Sequence, residues 1–162
     1  MDLAKLFRMQ RALDGYIEAE HGLQEADLFD KKVLALLVEI GELANETRCF
    51  KFWSLKKPSA REVILEEFVD GVHFILSLGL TCSLEQEATA EDKQAEGSIT
   101  DQFLLVYEAV QSFKQEKSAE AYQQMLQEYF TLGGLLGFSA EEVEKAYVSK
   151  NEVNYERQQQ GY

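Results

Sequence analysis

The segment LLVEIGELANE, residues 36–46, is the clearest indication of the fold class. Its apolar residues recur every three or four positions, which is the period of an amphipathic α-helix, and glutamates interrupt the apolar run. The segment LEEFVDGVHFILSLGL, residues 65–80, has the same period and also carries carboxylates among apolar side chains. Both segments therefore predict helices, and they place acidic groups where a helix normally buries its surface.

The same period continues through most of the 162-residue chain. Further helices are expected over 3–17, roughly 101–114 and roughly 118–136, and after Ser139. Ser139 begins a Ser-x-x-Glu sequence that is typical of a helix capping box. Pro58 is the only proline, and a chain with so few helix breakers favours long helices. The prediction is a single domain over 1–162, an all-α bundle of about six helices.

Two longer connections are predicted between these helices. One is a loop at about 47–60 that contains Trp53. The other lies near 84–100, where the sequence is acidic, polar and almost free of large apolar groups, so we expect it to be mobile. The closing residues QQQGY are expected to form a loose or partner-dependent tail. Cys49 and Cys82 lie among apolar residues and are expected to be reduced.

Composition excludes several classes of function. Twenty-nine acidic residues against 16 basic ones give a formal net charge of −13, which repels polyanions such as DNA and RNA. No window approaches the roughly 18 apolar residues that span a bilayer, and the N-terminus has an amphipathic pattern without the apolar block of a signal peptide. We therefore expect a cytoplasmic protein that binds neither a nucleic-acid polymer nor a membrane.

Two pairs of carboxylates stand out on the second and third predicted helices. Glu39 and Glu42 are three residues apart, as are Glu67 and Asp70, so the members of each pair share a helix face. Ionised carboxylates within apolar runs need compensating charge, and a divalent cation supplies it. All-oxygen ligation favours a hard ion such as Mg²⁺. The alternative is that the pairs are ordinary solvated positions of an acidic chain.

Other polar residues near these pairs have weaker signals. Glu62 and Glu66 are interpreted as part of a solvated stripe. His73 follows Asp70 by one turn, where it is equally suited to contact a ligand or to be a hydrogen-bonded structural histidine. In the first long loop, the neighbours of Trp53 include a lysine, so the indole is either a stacking surface for a base or a packing anchor.

The last predicted helix carries a stripe of donors. Lys150, Asn154 and Arg157 are spaced by four and three residues and share one face. Lysine supplies a point charge and arginine a planar fork, which together suit a polyphosphate. The alternative is a cationic helix C-terminus that interacts favourably with the helix dipole.

Taken together, these features resemble the all-α nucleoside triphosphate pyrophosphatases, the MazG-like enzymes, and in particular their dimeric dUTPase branch. The blocks that carry the resemblance, besides the two carboxylate pairs, are LFRMQRALD at 6–14, FKFWS at 50–54, EEFVDGVHFILSLGL at 66–80 and KNEVNYERQQQGY at 150–162. The resemblance covers nearly the whole chain.

The resemblance implies Mg²⁺-dependent hydrolysis of dUTP to dUMP and pyrophosphate, and of dUDP to dUMP and phosphate. A water would attack the β-phosphorus without a covalent enzyme intermediate, and the protein would be a homodimer that binds two or more ions. The metal ligands would be Glu39, Glu42, Glu67 and Asp70, and Glu39 would also orient or deprotonate the water. Phosphate contacts would come from Lys51, Lys150, Asn154 and Arg157, uracil contacts from Gln10, Asp14 and Trp53, and deoxyribose contacts from His73 and Phe74.

Asp14 departs from the family pattern, because remote members have an asparagine there that both donates and accepts. A carboxylate only accepts hydrogen bonds, so Asp14 would accept one from the uracil N3–H but would not donate one to O4. Two alternatives to a dUTPase remain at this point. One is a related pyrophosphohydrolase that acts on dCTP or non-canonical nucleotides, and the other is a non-enzymatic acidic helical dimerisation module.

Overall fold

A computed structural model of the chain describes residues 1–90 and 96–161. The described residues form six α-helices and no strand, which confirms the predicted all-α bundle. The helices are α1 (Leu3–Glu20), α2 (Phe29–Thr47), α3 (Arg61–Thr81), α4 (Ile99–Glu116), α5 (Ala119–Leu135) and α6 (Ala140–Gln159). Within the same described ranges, none of these helices combines the length and apolar character needed to cross a bilayer.

Side-chain caps define the starts of several helices. Asp2, Ser98 and Ser118 each accept a hydrogen bond from a backbone N–H in the first turn of α1, α4 and α5 respectively. At the start of α6, Ser139 accepts from the Glu142 N–H while the Glu142 carboxylate accepts from the Ser139 N–H. This reciprocal pair is the predicted capping box, so short-range sequence signals are sufficient to place these helix starts.

Helix α3 is the centre of the bundle and packs against α1, α2, α5 and α6. Gly71 and Gly79 on α3 allow α5 to approach closely, because Tyr129 and Tyr122 lie directly against them. The two buried tyrosine hydroxyls donate to α3 backbone carbonyls at 2.8 and 3.0 Å. A Cβ atom at Gly71 would lie 2.0 Å from the Tyr129 hydroxyl oxygen, so the contact requires glycine.

The two long connections have defined contacts where the structure describes them. In the first, the Arg48 guanidinium donates to Ser54 Oγ at 2.7 Å and to the Lys56 carbonyl at 3.0 Å. In the second, the Gln123 side chain pairs with the N–H and C=O of Thr89 at 2.9 and 2.8 Å. The mobility predicted for 84–100 falls partly on residues 91–95, which lie outside the described residues.

The C-terminal tail differs from the prediction. Helix α6 continues to Gln159, so the expectation of a loose tail was wrong for Gln158 and Gln159. Gln158 Oε1 lies 3.0 Å from His21 Nε2 at the end of α1, which anchors the last helical turn. Both cysteines, Cys49 and Cys82, are free thiols, as predicted.

Candidate active site

Carboxylates from α2 and α3 converge at one side of the bundle. Glu39, Glu67 and Asp70 each offer an oxygen, and these oxygens lie within 4.8 Å of one another. All three residues are partly buried, because α2 and α3 pack against each other through their apolar faces. Glu42 lies one turn along α2 from Glu39, is exposed, and is not among the three. We refer to Glu39, Glu67 and Asp70 as the carboxylate cluster.

Burial and mutual repulsion make the carboxylate cluster difficult to ionise. The pKa of Glu39 is raised to about 7, first by burial and then by the charges of Asp70, Glu42 and Glu67. Burial is also the main reason why the pKa values of Glu67 and Asp70 are raised. Three ionised carboxylates this close to one another therefore favour the approach of a cation.

Helix α6 places a lysine against the carboxylate cluster. Lys150 Nζ lies 2.8 Å from Asp70 Oδ2 and 2.7 Å from Glu66 Oε1, and the lysine is buried. Burial alone would lower the pKa of Lys150, but the hydrogen bonds and charges of both carboxylates outweigh it and raise the pKa. Glu66 keeps 55% of its side chain exposed and yet pairs with Lys150. Interpreting Glu66 as merely solvated was therefore incomplete, because the packing of α6 on α3 is not visible in the periodicity of α3. Glu62 is exposed, as predicted.

A cavity of about 340 Å³ opens beside the carboxylate cluster. Glu39 and Asp70 form the cluster end, where the charge of Arg157 acts on Asp70, and Asn154 is a further wall residue. The apolar walls are Leu13, Ile17, Leu23, Leu28 and Phe74. The far end is formed by Gln10, Asp14, Glu18, Lys32, His73 and Ser77. Since Asp70 and Ser77 are two turns apart on α3, the cavity extends about 10 Å along that helix.

Gln10 orders the far end of the cavity. Its Nε2 donates to Asp14 Oδ1 at 2.7 Å, and its Oε1 accepts from the Tyr147 hydroxyl at 2.7 Å. The same Oε1 lies 2.8 Å from His73 Nδ1. Because the Asp14 carboxylate can only accept, it fixes the orientation of the Gln10 amide, and His73 must then donate from Nδ1.

This network leaves His73 with an unused acceptor. Burial lowers the pKa of His73 to about 3, so the ring is neutral and its Nε2 carries a lone pair. Nε2 is buried and has no hydrogen-bond partner within the described part of the chain. The ring stacks on Tyr147 with centroids 4.1 Å apart, which holds it in place. An unpaired buried acceptor costs about 1–3 kcal/mol, so this end of the cavity favours a ligand that donates a hydrogen bond.

A second set of contacts holds the other oxygen of Asp14. Oδ2 accepts from Ser77 Oγ at 2.6 Å and lies 3.5 Å from Lys32 Nζ. Lys32 also donates to Thr81 Oγ1 at 3.1 Å and lies 3.5 Å from Glu18 Oε1. Ser77 and Lys32 carry no site signal in the sequence, because neither belongs to a periodic pattern and both meet Asp14 only through helix packing.

Comparison with models of known protein families identifies the family of this chain. A family model described as dUTPase matches residues 2–162. The chain belongs to the dUTPase family. The match spans almost the whole sequence and supports dUTP diphosphatase activity, so the predicted resemblance and enzyme class are confirmed. Comparison with curated protein sequences gives no match.

In this dUTPase, five of the predicted site residues are not among the described residues that line the cavity, namely Glu42, Lys51, Trp53, Glu67 and Lys150. Glu67 is part of the carboxylate cluster, and Lys150 pairs with Asp70. Trp53 is 66% exposed, and its ring packs edge-on against Phe50 and Phe52. The Lys51 ammonium lies 5.5 Å from the centroid of the Phe50 ring. Neither Trp53 nor Lys51 is among the described residues that line the cavity. Their contacts with uracil and phosphate therefore stay predictions.

The dUTPase family is generally metal-dependent, and the carboxylate cluster has the chemistry of such a site. Its donor set consists of carboxylate oxygens within reach of a single ion, and the pKa of Glu39 is raised first by burial and then by repulsion from neighbouring carboxylates, which a cation would relieve. The donors are thus of the type that hard divalent ions prefer.

Proposed function

We propose that this enzyme converts dUTP to dUMP and pyrophosphate, and dUDP to dUMP and phosphate, with Mg²⁺ as cofactor. The observation that carries the proposal is one cavity with carboxylates at one end and a hydrogen-bonding network at the other. The two ends are about 10 Å apart along α3, which leaves room for a deoxyribose between a polyphosphate subsite and a base subsite. Because the two ends differ in chemistry, a nucleotide would bind in one orientation, with its polyphosphate at the carboxylate end and its base at the other end.

Glu39, Glu67 and Asp70 would hold the metal, with Glu42 available one turn away on the exposed part of α2. Mg²⁺ bound there, as two or more ions, would neutralise the charge on the polyphosphate oxygens during hydrolysis. The family match supports metal dependence, and the all-oxygen donor set supports the choice of ion.

Glu39 is the residue proposed to orient the attacking water and to accept its proton. Glu39 belongs to the carboxylate cluster and also lines the cavity, so its carboxylate lies where a water and the polyphosphate would meet. Attack at the β-phosphorus explains why dUTP and dUDP would give the same nucleotide product. No covalent intermediate is needed.

Helix α6 supplies the donors for the polyphosphate. Asn154 and Arg157 line the cavity, and the charge of Arg157 acts on Asp70 at the cluster end. Two of the three ammonium hydrogens of Lys150 are used by Asp70 and Glu66, which leaves one for a phosphate oxygen. Lys150 would in this way hold Asp70 in position while adding positive charge to the site.

The far end of the cavity would hold the nucleoside. Phe74 forms part of the apolar wall, against which a deoxyribose can pack. Gln10 and Asp14 face the base, and Asp14 can accept from the uracil N3–H. His73 Nε2 is the acceptor for a hydroxyl or N–H of the ligand.

The enzyme is proposed to be a cytoplasmic homodimer. Leu34 and Val38 on α2 are 63% and 49% exposed, and Leu104 on α4 is 58% exposed. Helices α2 and α4 are in contact, so these residues lie on neighbouring helices. Exposed apolar patches of this kind are typical of protein interfaces. Sedimentation should give twice the chain mass of 18.5 kDa.

A product assay over the deoxynucleoside triphosphates tests the function. We expect turnover of dUTP and dUDP in Mg²⁺, release of pyrophosphate and phosphate respectively, and loss of turnover in EDTA. Preferential hydrolysis of dCTP would favour the related pyrophosphohydrolase. Turnover that is unaffected by EDTA would contradict the metal assignment.

A further inference from the structure

We propose that Lys32 is a specificity-determining residue, which together with Asp14 selects uracil over cytosine. The inference rests on the proposed function, because that function places a pyrimidine at the far end of the cavity. Both side chains line the cavity, and each is only 15% exposed. Their charged ends are neighbours, with Lys32 Nζ 3.5 Å from Asp14 Oδ2.

Both groups are held in place and still have capacity for a ligand. Gln10 donates to one Asp14 oxygen and Ser77 to the other, so each oxygen keeps a lone pair. Thr81 and Glu18 occupy two of the three ammonium hydrogens of Lys32, which leaves the third. The far end therefore presents a fixed acceptor beside a fixed cationic donor.

This arrangement matches one pyrimidine edge and opposes the other. Uracil presents an N3–H donor beside the O4 acceptor, so N3–H can donate to Asp14 while O4 accepts from Lys32. Cytosine presents an N3 lone pair beside an amino group, so in the same position the lone pair faces the carboxylate and the amino hydrogens face the ammonium. Uracil thus gains two contacts where cytosine meets two repulsions.

Lys32 is the part of the pair that discriminates. A carboxylate alone accepts equally well from the uracil N3–H and from the cytosine amino group, so Asp14 by itself permits either base in shifted positions. The Lys32 ammonium excludes the shifted position of cytosine, because it repels the cytosine amino group when that group lies next to the Asp14 carboxylate. A purely structural Lys32, which only neutralises Asp14, would affect both nucleotides equally.

The test compares Lys32→Met with Lys31→Met, which alters the neighbouring exposed lysine on α2. The readout is the ratio of kcat/KM for dUTP to kcat/KM for dCTP. Where dCTP turnover is slow, the inhibition constants of dUMP and dCMP give the corresponding ratio of binding affinities. We expect Lys32→Met to lower the ratio about 10- to 100-fold, the range for losing a charged hydrogen bond. Lys31→Met should leave the ratio unchanged.

Adding Asp14→Asn to Lys32→Met should restore most of the ratio. A single amide offers both an oxygen and an NH₂ group, and the Ser77 hydroxyl can accept from that NH₂ group instead of donating. This recovery is expected only if the lost function is donation to the base. If the double variant recovers neither the dUTP-to-dCTP ratio of kcat/KM nor the turnover of dUTP, the proposal is contradicted.

An equal fall for both nucleotides in Lys32→Met, or an unchanged ratio, would overturn the role of Lys32. If that variant does not fold by circular dichroism, Lys32→Gln keeps a neutral donor, and we expect it to lose less of the ratio. Wild-type turnover of dUTP in the same assay tests the proposed function separately. If the wild type turns over dUTP normally and the variants keep the wild-type ratio, the role of Lys32 is overturned while the proposed function stands.

Discussion

At one end of the cavity, Glu39, Glu67 and Asp70 lie within 4.8 Å of one another, and their pKa values are raised. At the other end, the Asp14 carboxylate accepts hydrogen bonds from neutral side chains and lies 3.5 Å from the Lys32 ammonium. The first end brings three carboxylates together, of which Asp70 is paired with Lys150, whereas the second end sets the single carboxylate of Asp14 among hydrogen-bond donors and beside Lys32. This difference indicates that the first end depends on a cationic ligand, while the second is organised before a ligand arrives.

Apolar packing offsets the repulsion at the carboxylate end. Leu36, Ile40 and Leu43 on α2 and Phe68 and Val72 on α3 are almost fully buried. Burying each such side chain contributes about 1.5–3 kcal/mol. The helix pair that carries the like charges is thus held together by the residues between them. The far end needs no such compensation, because its own hydrogen bonds satisfy most of its polar groups.

The substitution Glu39→Gln, which removes one charge from the carboxylate cluster, is expected to have the largest effect on activity. Loss of the proposed base and metal ligand should lower kcat at least about 1000-fold. In the metal-free protein, however, the variant should be more stable above pH 7. The raised pKa of Glu39 gives the wild type stability at low pH that it loses as pH rises to about 7, and glutamine has no such titration.

Thermal unfolding in EDTA at pH 5.5 and pH 8 measures this second effect. The stabilising difference between Glu39→Gln and the wild type should be largest at pH 8 and clearly smaller at pH 5.5, because the wild type loses this stability between the ordinary glutamate pKa of 4.5 and about pH 7. Glu62→Gln, on the exposed first turn of α3, is the matched control and should change neither activity nor stability. A variant that is less stable than the wild type at pH 8 would argue against repulsion in the carboxylate cluster.

A smaller effect is expected from Arg157→Ala, which removes a positive charge near the carboxylate cluster. If Arg157 acts on charge that develops during hydrolysis, kcat and kcat/KM should fall together by about 100- to 1000-fold. Steady-state kinetics with dUTP provide the measurement. Lys145→Ala, an exposed change on the same helix, is the control. A rise in KM at constant kcat would instead assign Arg157 to ground-state binding alone.

The smallest effect is expected from Tyr147→Phe at the far end. The change removes the hydroxyl that donates to Gln10 Oε1 at 2.7 Å and should cost about 1 kcal/mol of unfolding free energy. Because Gln10 becomes less well ordered, KM for dUTP should rise several-fold while kcat changes little. Tyr107→Phe removes a similar hydroxyl, which donates to the Leu37 carbonyl outside the cavity. It should lower stability without raising KM, and equal KM values in both variants would contradict the role of the Gln10 network.

Local patterns predicted most of the secondary structure, because helix period and capping depend on neighbours in sequence. The Ser139–Glu142 capping box appears where the sequence placed it. The end of α6 did not, because Gln158 is held by His21, a contact between opposite ends of the chain. Polar residues in a row predict a frayed end only when nothing distant packs on them.

Six helices, their amphipathic faces and two pairs of carboxylates on adjacent helices can be read from the order of residues alone. Which polar groups meet depends on how the helices pack. This packing brings Lys150 to Asp70, leaves Glu42 outside the carboxylate cluster and sets Lys32 beside Asp14. The physical reason is that periodicity fixes the face of a helix on which a residue lies, whereas the crossing and register of helices depend on long-range packing.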